Sequence, residues 1–484
     1  MRASRTASCL LANLLLVACT ASGPSWPTDG SLVVALESGP MHLDPRVATD
    51  QASARVLELV LNGLVTKDPS GNLLPDLAKS WEILDDGRRY RFHLRPGITF
   101  HDGRPFTAAD IAWTFGTIVD GTVATAKRSS FILVDAVTPI DDLTVDFLLS
   151  QPHGALLVDL TAEQGITVVL EPNADYHDGA PQITRLTLRE IPDSTVRVLE
   201  LRKGSVQLVV NGLTPDQVPA FRDDPAFRVV ETPGSNYAYL GFNLEDPLLS
   251  DVRVRRAIAL ALDRQALVDS LWRGLAVVTE TMMPSGHWAR ADDLEPIERD
   301  LATARSLLDA AGYPDPDGDG PQTRLQLNYK SSTNEDSLLQ AQIVQAMLAE
   351  VGIDLEIRSY EFATFYTDIK QGDFQLYSLI WTGVLDPHIY NLVLHSRSVP
   401  PDGANRNRYR NPEFDRLIDA GARLSDPAER RPFYVEAQRI LAEDLPYISL
   451  YHKVNVGIMP ATLDGYQNYL SGELYSLKKM RWSD

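Results

Sequence analysis

Five short strings in the chain have residue types and spacing that could do chemistry. Asp315-Pro316-Asp317-Gly318-Asp319-Gly320 places carboxylates on alternate residues ahead of a glycine, as a calcium loop begins. The distant acid that would close such a loop is missing, since Leu327 or a neighbour falls there, so a tight turn between a helix and a strand competes with calcium. His101-Asp102-Gly103 offers an imidazole beside a carboxylate, yet Asp-Gly between two periodic segments is turn chemistry. Trp381-Thr382-Gly383-Val384-Leu385-Asp386-Pro387 combines an aromatic face, a hydroxyl, a flexible glycine and a carboxylate in one loop. Asp386 either pairs with a cation or caps the helix that Pro387 begins. Arg2 and Arg5 precede an apolar run from Cys9 to Ala18, a secretory n-region and h-region too short to span a bilayer permanently. Its end, Leu16-Val17-Ala18-Cys19, resembles a lipobox, in which cleavage before Cys19 leaves that thiol to be acylated.

The usual enzyme signatures are missing: there is no G-x-S-x-G, H-E-x-x-H, Walker lysine loop or G-x-G-x-x-G. The nine histidines have no ligand spacing, so no metal site and no catalytic set is expected. Both cysteines lie in the leader, which leaves the mature fold without disulfides or a catalytic thiol. With a formal charge of −20, the surface repels nucleic-acid phosphates and anionic headgroups. Any membrane contact would have to come through lipid on Cys19.

The elements that must carry these loops are mixed α and β, and 484 residues exceed what one core can serve. Residues 1–18 read as a lipoprotein signal and 19–30 as a flexible tether rich in Ser, Thr, Pro and Gly. Ser31 to Ala35 begins a strand, Gln51 to Leu61 a helix, and Trp81 to Arg95 a hairpin turning at Asp86-Gly87. Thr107 is placed to cap a helix in which Ile111, Trp113 and Phe115 supply the buried surface. Val254, Ala257, Ile258, Ala261 and Leu262 mark an apolar helical face, with Arg253, Arg255, Arg256 and Arg264 mostly off it. Another helix ends at Gly312. A strand at Leu325, a helix from Asp336 to Val351 and a strand from Ile353 form a β-α-β unit of a parallel sheet. The strand Phe374 to Trp381 then delivers the Thr382–Asp386 loop to its carboxyl end, where open α/β sheets bind ligands.

The order Leu77-Ala78-Lys79-Ser80-Trp81-Glu82, Asp86-Gly87, Tyr90 to Pro96, Phe100-His101-Asp102-Gly103 and Thr107-Ala108-Ala109-Asp110 resembles the bacterial extracellular solute-binding proteins of family 5, the oligopeptide- and dipeptide-binding group. Tyr239 to Asn243, Asp251 to Ile258, Ala304 to Tyr313 and Asn405 to Asp415 extend the likeness over nearly all of the mature chain.

The resemblance implies a two-lobe α/β periplasmic-binding-protein-like fold, type II, cluster C, with an extra subdomain in the first lobe. Lobe I would take residues 31–60, 169–243 and 452–484, its extra subdomain 61–168, and lobe II 244–451. The implied function is capture of a peptide between the lobes by a lipid-anchored monomer, in the periplasm or on the outer face of the cell membrane. Delivery would be to an ABC permease and its ATPase, without cofactor. Trp381, Thr382, Gly383, Val384, Asp386, Tyr237, Met41 and His42 are the expected cleft residues. A non-peptide solute such as a metal chelate, opine or sugar, and a secreted hydrolase, are the alternatives.

Two departures from the family pattern stand out. A stretch of a few dozen residues before Ile166 to Glu171 is missing. Val384 stands where dipeptide binders of the family place the aspartate that pairs with the ligand's α-ammonium, and a buried ammonium without a counter-ion is costly.

Overall fold

The computed structural model describes residues 24, 26–37, 44–46, 51–123, 125–160, 169–318, 320, 322–401 and 403–483. Cys19, Met41, His42 and Asp319 lie outside them.

One ten-stranded sheet runs through the whole molecule, and its strands are numbered here along the chain. They are β1 (Ser31–Leu36), β2 (Val169–Leu170), β3 (Arg185–Glu190), β4 (Leu208–Val210), β5 (Phe227–Phe242), β6 (Ala276–Val278), β7 (Leu325–Ser332), β8 (Ile353–Tyr360), β9 (Leu376–Trp381) and β10 (Tyr447–Pro460). The order across the sheet is β8-β7-β9-β5-β10-β4-β1-β3-β2, with β6 on the side of β10.

Two strands are long enough to belong to both halves. The first part of β5, Phe227 to Pro233, pairs antiparallel with Val454 to Pro460 of β10, and its second part, Tyr237 to Gly241, pairs with Tyr447 to His452. The register slips between Pro233 and Tyr237, because proline has no N–H to give a ladder. On one side of the slip β1 runs parallel with β3 and β4, and on the other β7 runs parallel with β8 and β9. The fold is therefore two α/β lobes joined by crossing strands. The carboxyl ends of each parallel set are where such sheets take ligands.

Lobe II is packed on both faces of its sheet. Leu240, Ile258, Val268, Val344, Leu348 and Ile448 form one core, while Tyr237, Tyr239, Phe365, Tyr377, Phe414 and Tyr434 form the other. The helix Glu335–Ala349 crosses between parallel β7 and β8, as the β-α-β spacing predicted. Gly312 takes the left-handed conformation at the end of the helix Leu301–Ala311, also as expected.

In lobe I, a separate four-stranded antiparallel sheet joins Ala78–Leu84, Arg89–Leu94, Thr144–Leu149 and Val134–Asp141, and the helix Ala108–Val119 covers it. Asp102 accepts the Arg104 N–H and Gly103 has φ +82°, so His101-Asp102-Gly103 is a turn. The Asp110 carboxylate takes both the N–H and the hydroxyl of Thr107, fixing the start of that helix.

Several local expectations need correction. Trp113 is 62 % exposed rather than buried, and Arg46 lies over its ring at 4.7 Å; Ala108, Ile111 and Ile118 supply the buried face. The apolar stretch after Ser250 divides into two helices, Val252–Ala261 and Arg264–Trp272, because Asp263 caps the second. Arg255 and Arg264 are buried, since each finds main-chain carbonyls, and Arg264 also meets Glu280 at 2.6 Å. Asp315 accepts the Asp317 N–H and lies 3.5 Å from Arg324, which is turn chemistry.

Candidate functional site

The waist is built before anything is placed in it. Ser235, in the slipped segment of β5, receives the Val384 N–H on its carbonyl and gives its own N–H to Leu470. Asn236 accepts the Gly383 N–H at 3.1 Å. The loop at the carboxyl end of β9 is thus tied to the crossing strand, and the crossing strand is tied to the C-terminal segment. Gly234 is required here, since a Cβ would stand 2.6 Å from the Lys453 carbonyl.

The predicted site residues occupy different depths. Thr382 and Gly383 are exposed at the loop tip, and Gly383 has φ +65°. Trp381 is half-buried, with the Arg406 guanidinium 4.5 Å from its ring. Arg406 is itself buried: it donates to the hydroxyls of Tyr239 at 3.3 Å and Tyr366 at 2.8 Å, and lies 5.0 Å from the Tyr366 ring. Trp381 therefore presents one face backed by a cation and two tyrosines. Two other predicted residues point inward. Val384 is 1 % exposed and Tyr237 wholly buried, with its hydroxyl 2.7 Å from that of Ser449. Tyr237 belongs to the second lobe II core, so it shapes the waist through packing.

Both oxygens of Asp386 are occupied. Oδ1 accepts the His388 N–H at 2.7 Å, and Arg430 binds the carboxylate in a bidentate pair at 2.8 and 3.0 Å. The helix that follows, Ile389–Val393, begins beyond His388, so this carboxylate closes the turn leading into it. Arg430 is 3 % exposed, and its guanidinium faces the rings of Trp288 at 5.0 Å and Tyr434 at 5.4 Å.

Sequence reasoning missed Lys453. It sits on β10 opposite Ala276, half-buried, with Nζ 3.8 Å above the Trp272 ring. Burial lowers its pKa, against the upward pull of Asp336 in lobe II and Glu37 just after β1. A lone lysine within the largely apolar run Tyr447 to Pro460 was the available signal. Among the described residues, no group of acids, histidines or cysteines is arranged to hold a metal.

The two lobes also touch away from the waist. Gly154, in lobe I, gives its N–H to Ala422 at 3.0 Å; the Tyr90 and Ser425 hydroxyls are 3.4 Å apart; and the rings of His153 and His388 meet edge-on at 5.1 Å. A cavity of about 840 Å³ lies between the four-stranded antiparallel sheet and the β1–β3 sheet, bordered by Leu160 and Leu170. It adjoins the place where the sequence reads as shortened.

A model of the bacterial extracellular solute-binding proteins, family 5 Middle, matches residues 72–168 and 157–399, its two parts overlapping over 157–168. Heme-binding protein A of Haemophilus influenzae is 26% identical over 538 aligned residues, covering 96% of this chain and 97% of that protein. The oligopeptide-binding protein AppA of Bacillus subtilis is 26% identical over 504, covering 93% and 91%. Among solved structures, HbpA2 from Haemophilus parasuis superposes with a TM-score of 0.82 at 24% identity, covering 92% of this chain and 98% of that one.

Proposed function

Because the chain belongs to the bacterial extracellular solute-binding proteins, family 5, we propose that it captures a peptide between its two lobes and delivers it to an ABC permease. The observation that carries this reading is the waist: β5 and β10 each run through both lobes, with the Thr382–Asp386 loop bonded to the slip between them. Such a joint lets two rigid halves rotate while keeping one loop fixed at the base of the cleft, and ligand-driven closure is its natural use. Residues 244–451, together with the Tyr237–Phe242 half of β5, act as the moving lobe against 31–60, 61–168, the rest of 169–243 and 452–484. Trp381, Thr382 and Gly383 line the cleft together with Met41 and His42. The lipid on Cys19 holds the monomer at the outer face of the membrane or in the periplasm.

A specific observation favours a second reading. Val384 is buried, and Asp386, the nearest acid in the loop, is held by Arg430. The loop therefore offers no free carboxylate to an α-ammonium, which suits a non-peptide solute within the same transport role. In either case the solute leaves chemically unchanged.

The test is to purify the protein from cells, unfold it and identify the released solute by mass spectrometry. Peptides are expected; a recurring non-peptide solute supports the second reading. A peptide mixture incubated with the protein is expected to come back intact, and shortened products refute capture without chemistry. Cys19→Ser is expected to release the protein from the membrane fraction.

A further inference from the structure

We propose that His153 and His388 form an acid-sensitive latch between the lobes, so that the closed cleft holds its solute at neutral pH and lets it go as the medium acidifies; this rests on the reading that the solute is trapped by lobe closure. The latch is built from main chain first. Residues 152–155, just after the strand Thr144–Leu149 of the antiparallel sheet, meet lobe II at the end of the helix Pro412–Ala422. There Gly154 gives its N–H to the Ala422 carbonyl at 3.0 Å and passes so close to the Leu424 carbonyl that a Cβ would not fit. The Tyr90 hydroxyl donates to the His153 carbonyl at 3.0 Å and lies 3.4 Å from the Ser425 hydroxyl. His153 is thereby held, buried, with its ring edge-on to that of His388 at 5.1 Å.

His388 comes from the other lobe, on the segment that serves the cleft, two residues after Asp386 and five after Gly383. Its ring is poorly placed to carry charge. An imidazolium has two N–H groups to satisfy, and Nδ1 of His388 is buried with no hydrogen-bond partner among the described residues. The charged groups around it mostly oppose a proton. Asp386 favours one, but its carboxylate is spent on the His388 main-chain N–H and on the bidentate pair with Arg430. Arg430 from the helix Pro427–Asp444, Arg397 from the short helix Ser396–Ser398 and His153 from lobe I all act against it. Arg397 is itself paired with Asp419 at 3.0 Å. Burial is the largest influence, and together these hold the His388 pKa down to about 4.

Opening the lobes takes the His153 ring away and admits water to His388, which lets its pKa return towards the ordinary value of about 6.5. Above that value both forms hold a neutral ring, and closure is indifferent to pH. Below it the open form takes up a proton that the closed form refuses, so acid favours opening. With a pKa of about 4 closed and about 6.5 open, closure weakens about tenfold between pH 7.5 and pH 5.5.

The test uses the protein as purified, with the solute it carries. Small-angle scattering follows lobe separation from pH 7.5 to pH 5.5, mass spectrometry counts the co-purified solute still bound after dialysis at each pH, and circular dichroism confirms that the chain stays folded. The wild type is compared with His388→Phe, His388→Gln and His452→Phe. The wild type is expected to enlarge and shed its solute at pH 5.5, and both His388 variants to stay compact and loaded. His452→Phe, which lacks the other histidine held near 4, is expected to respond like the wild type. A wild type equally compact at both pH values, His388 variants that open as it does, or a response abolished in His452→Phe overturns the latch. Stripping the solute at pH 7.5 separates this outcome from the reading beneath it. Enlargement on stripping but not in acid overturns the latch alone, whereas no enlargement in either case removes lobe closure as well. A non-peptide solute released by acid removes the peptide reading and keeps the latch.

Discussion

Replacing Asp386 separates two roles for a cleft carboxylate, holding a ligand or holding the fold. In the structure its oxygens take the His388 N–H and both terminal nitrogens of Arg430, at 2.7, 3.0 and 2.8 Å. Arg430 is 3 % exposed, and among the described residues its Nε has no acceptor and Asp386 is its only anionic partner. Asp386→Ala leaves a guanidinium buried between Trp288 and Tyr434 with no counter-charge, and breaking a buried pair in this way costs about 3–5 kcal/mol. Replacing both members with apolar residues removes the stranded charge. Asp386→Leu with Arg430→Met is therefore expected within about 1–2 kcal/mol of wild type, since such replacements are often neutral or stabilising. Urea unfolding of the wild type, the two single variants and the double variant gives the coupling energy. Solute affinity of the double variant is expected to be near wild type. If Asp386→Ala unfolds at the wild-type urea concentration, or if the double variant is stable but no longer binds, the carboxylate serves the ligand and the reasoning fails.

His452, 5 % exposed beside Tyr237, is pushed down to about 4 by burial. Its folded pKa thus lies below the unfolded value of about 6.5, so its contribution is intact above that value and disappears as pH falls towards 4. The full span is worth about 3 kcal/mol at 1.36 kcal/mol per unit, and His452→Phe should flatten that limb of the stability–pH curve; an unchanged limb would dismiss the assignment. Tyr237→Phe removes a buried hydroxyl pair with Ser449 and is expected to cost about 1–3 kcal/mol while leaving solute affinity unchanged. A larger loss of affinity than of stability would return Tyr237 to the cleft. A Cβ on Gly154 would run into the Leu424 carbonyl where the lobes meet, so Gly154→Ala should weaken solute binding and enlarge the liganded protein in small-angle scattering. Unchanged affinity and dimensions would mean that this contact is not part of closure.

Much of the fold was legible because its signals are local. Gly312 stops a helix in the left-handed conformation that glycine adopts more readily than other residues, and the alternation Ile353, Leu355, Ile357 after a long helix reads as β-α-β without any tertiary knowledge. What failed had its cause elsewhere in space. Arg255 is buried because the carbonyls of Leu249 and Leu445 wait for it, and no pattern within its own helix encodes residue 445. Trp113 stays exposed because the face it occupies meets Arg46 rather than a core. The Thr382–Asp386 loop does stand at the carboxyl end of a strand, as the pattern predicted. The pairing of Asp386 with Arg430 was invisible, for the two are 44 residues apart and meet only in three dimensions.

The depth at which each site residue sits constrains how the machine can discriminate. Asp386, Arg430, Tyr237 and Val384 are committed to the fold, which leaves Trp381, Thr382 and Gly383 as the accessible part of the loop. Exposed loop backbone and an aromatic face recognise shape loosely, through strand-like hydrogen bonds and stacking that many solutes can supply.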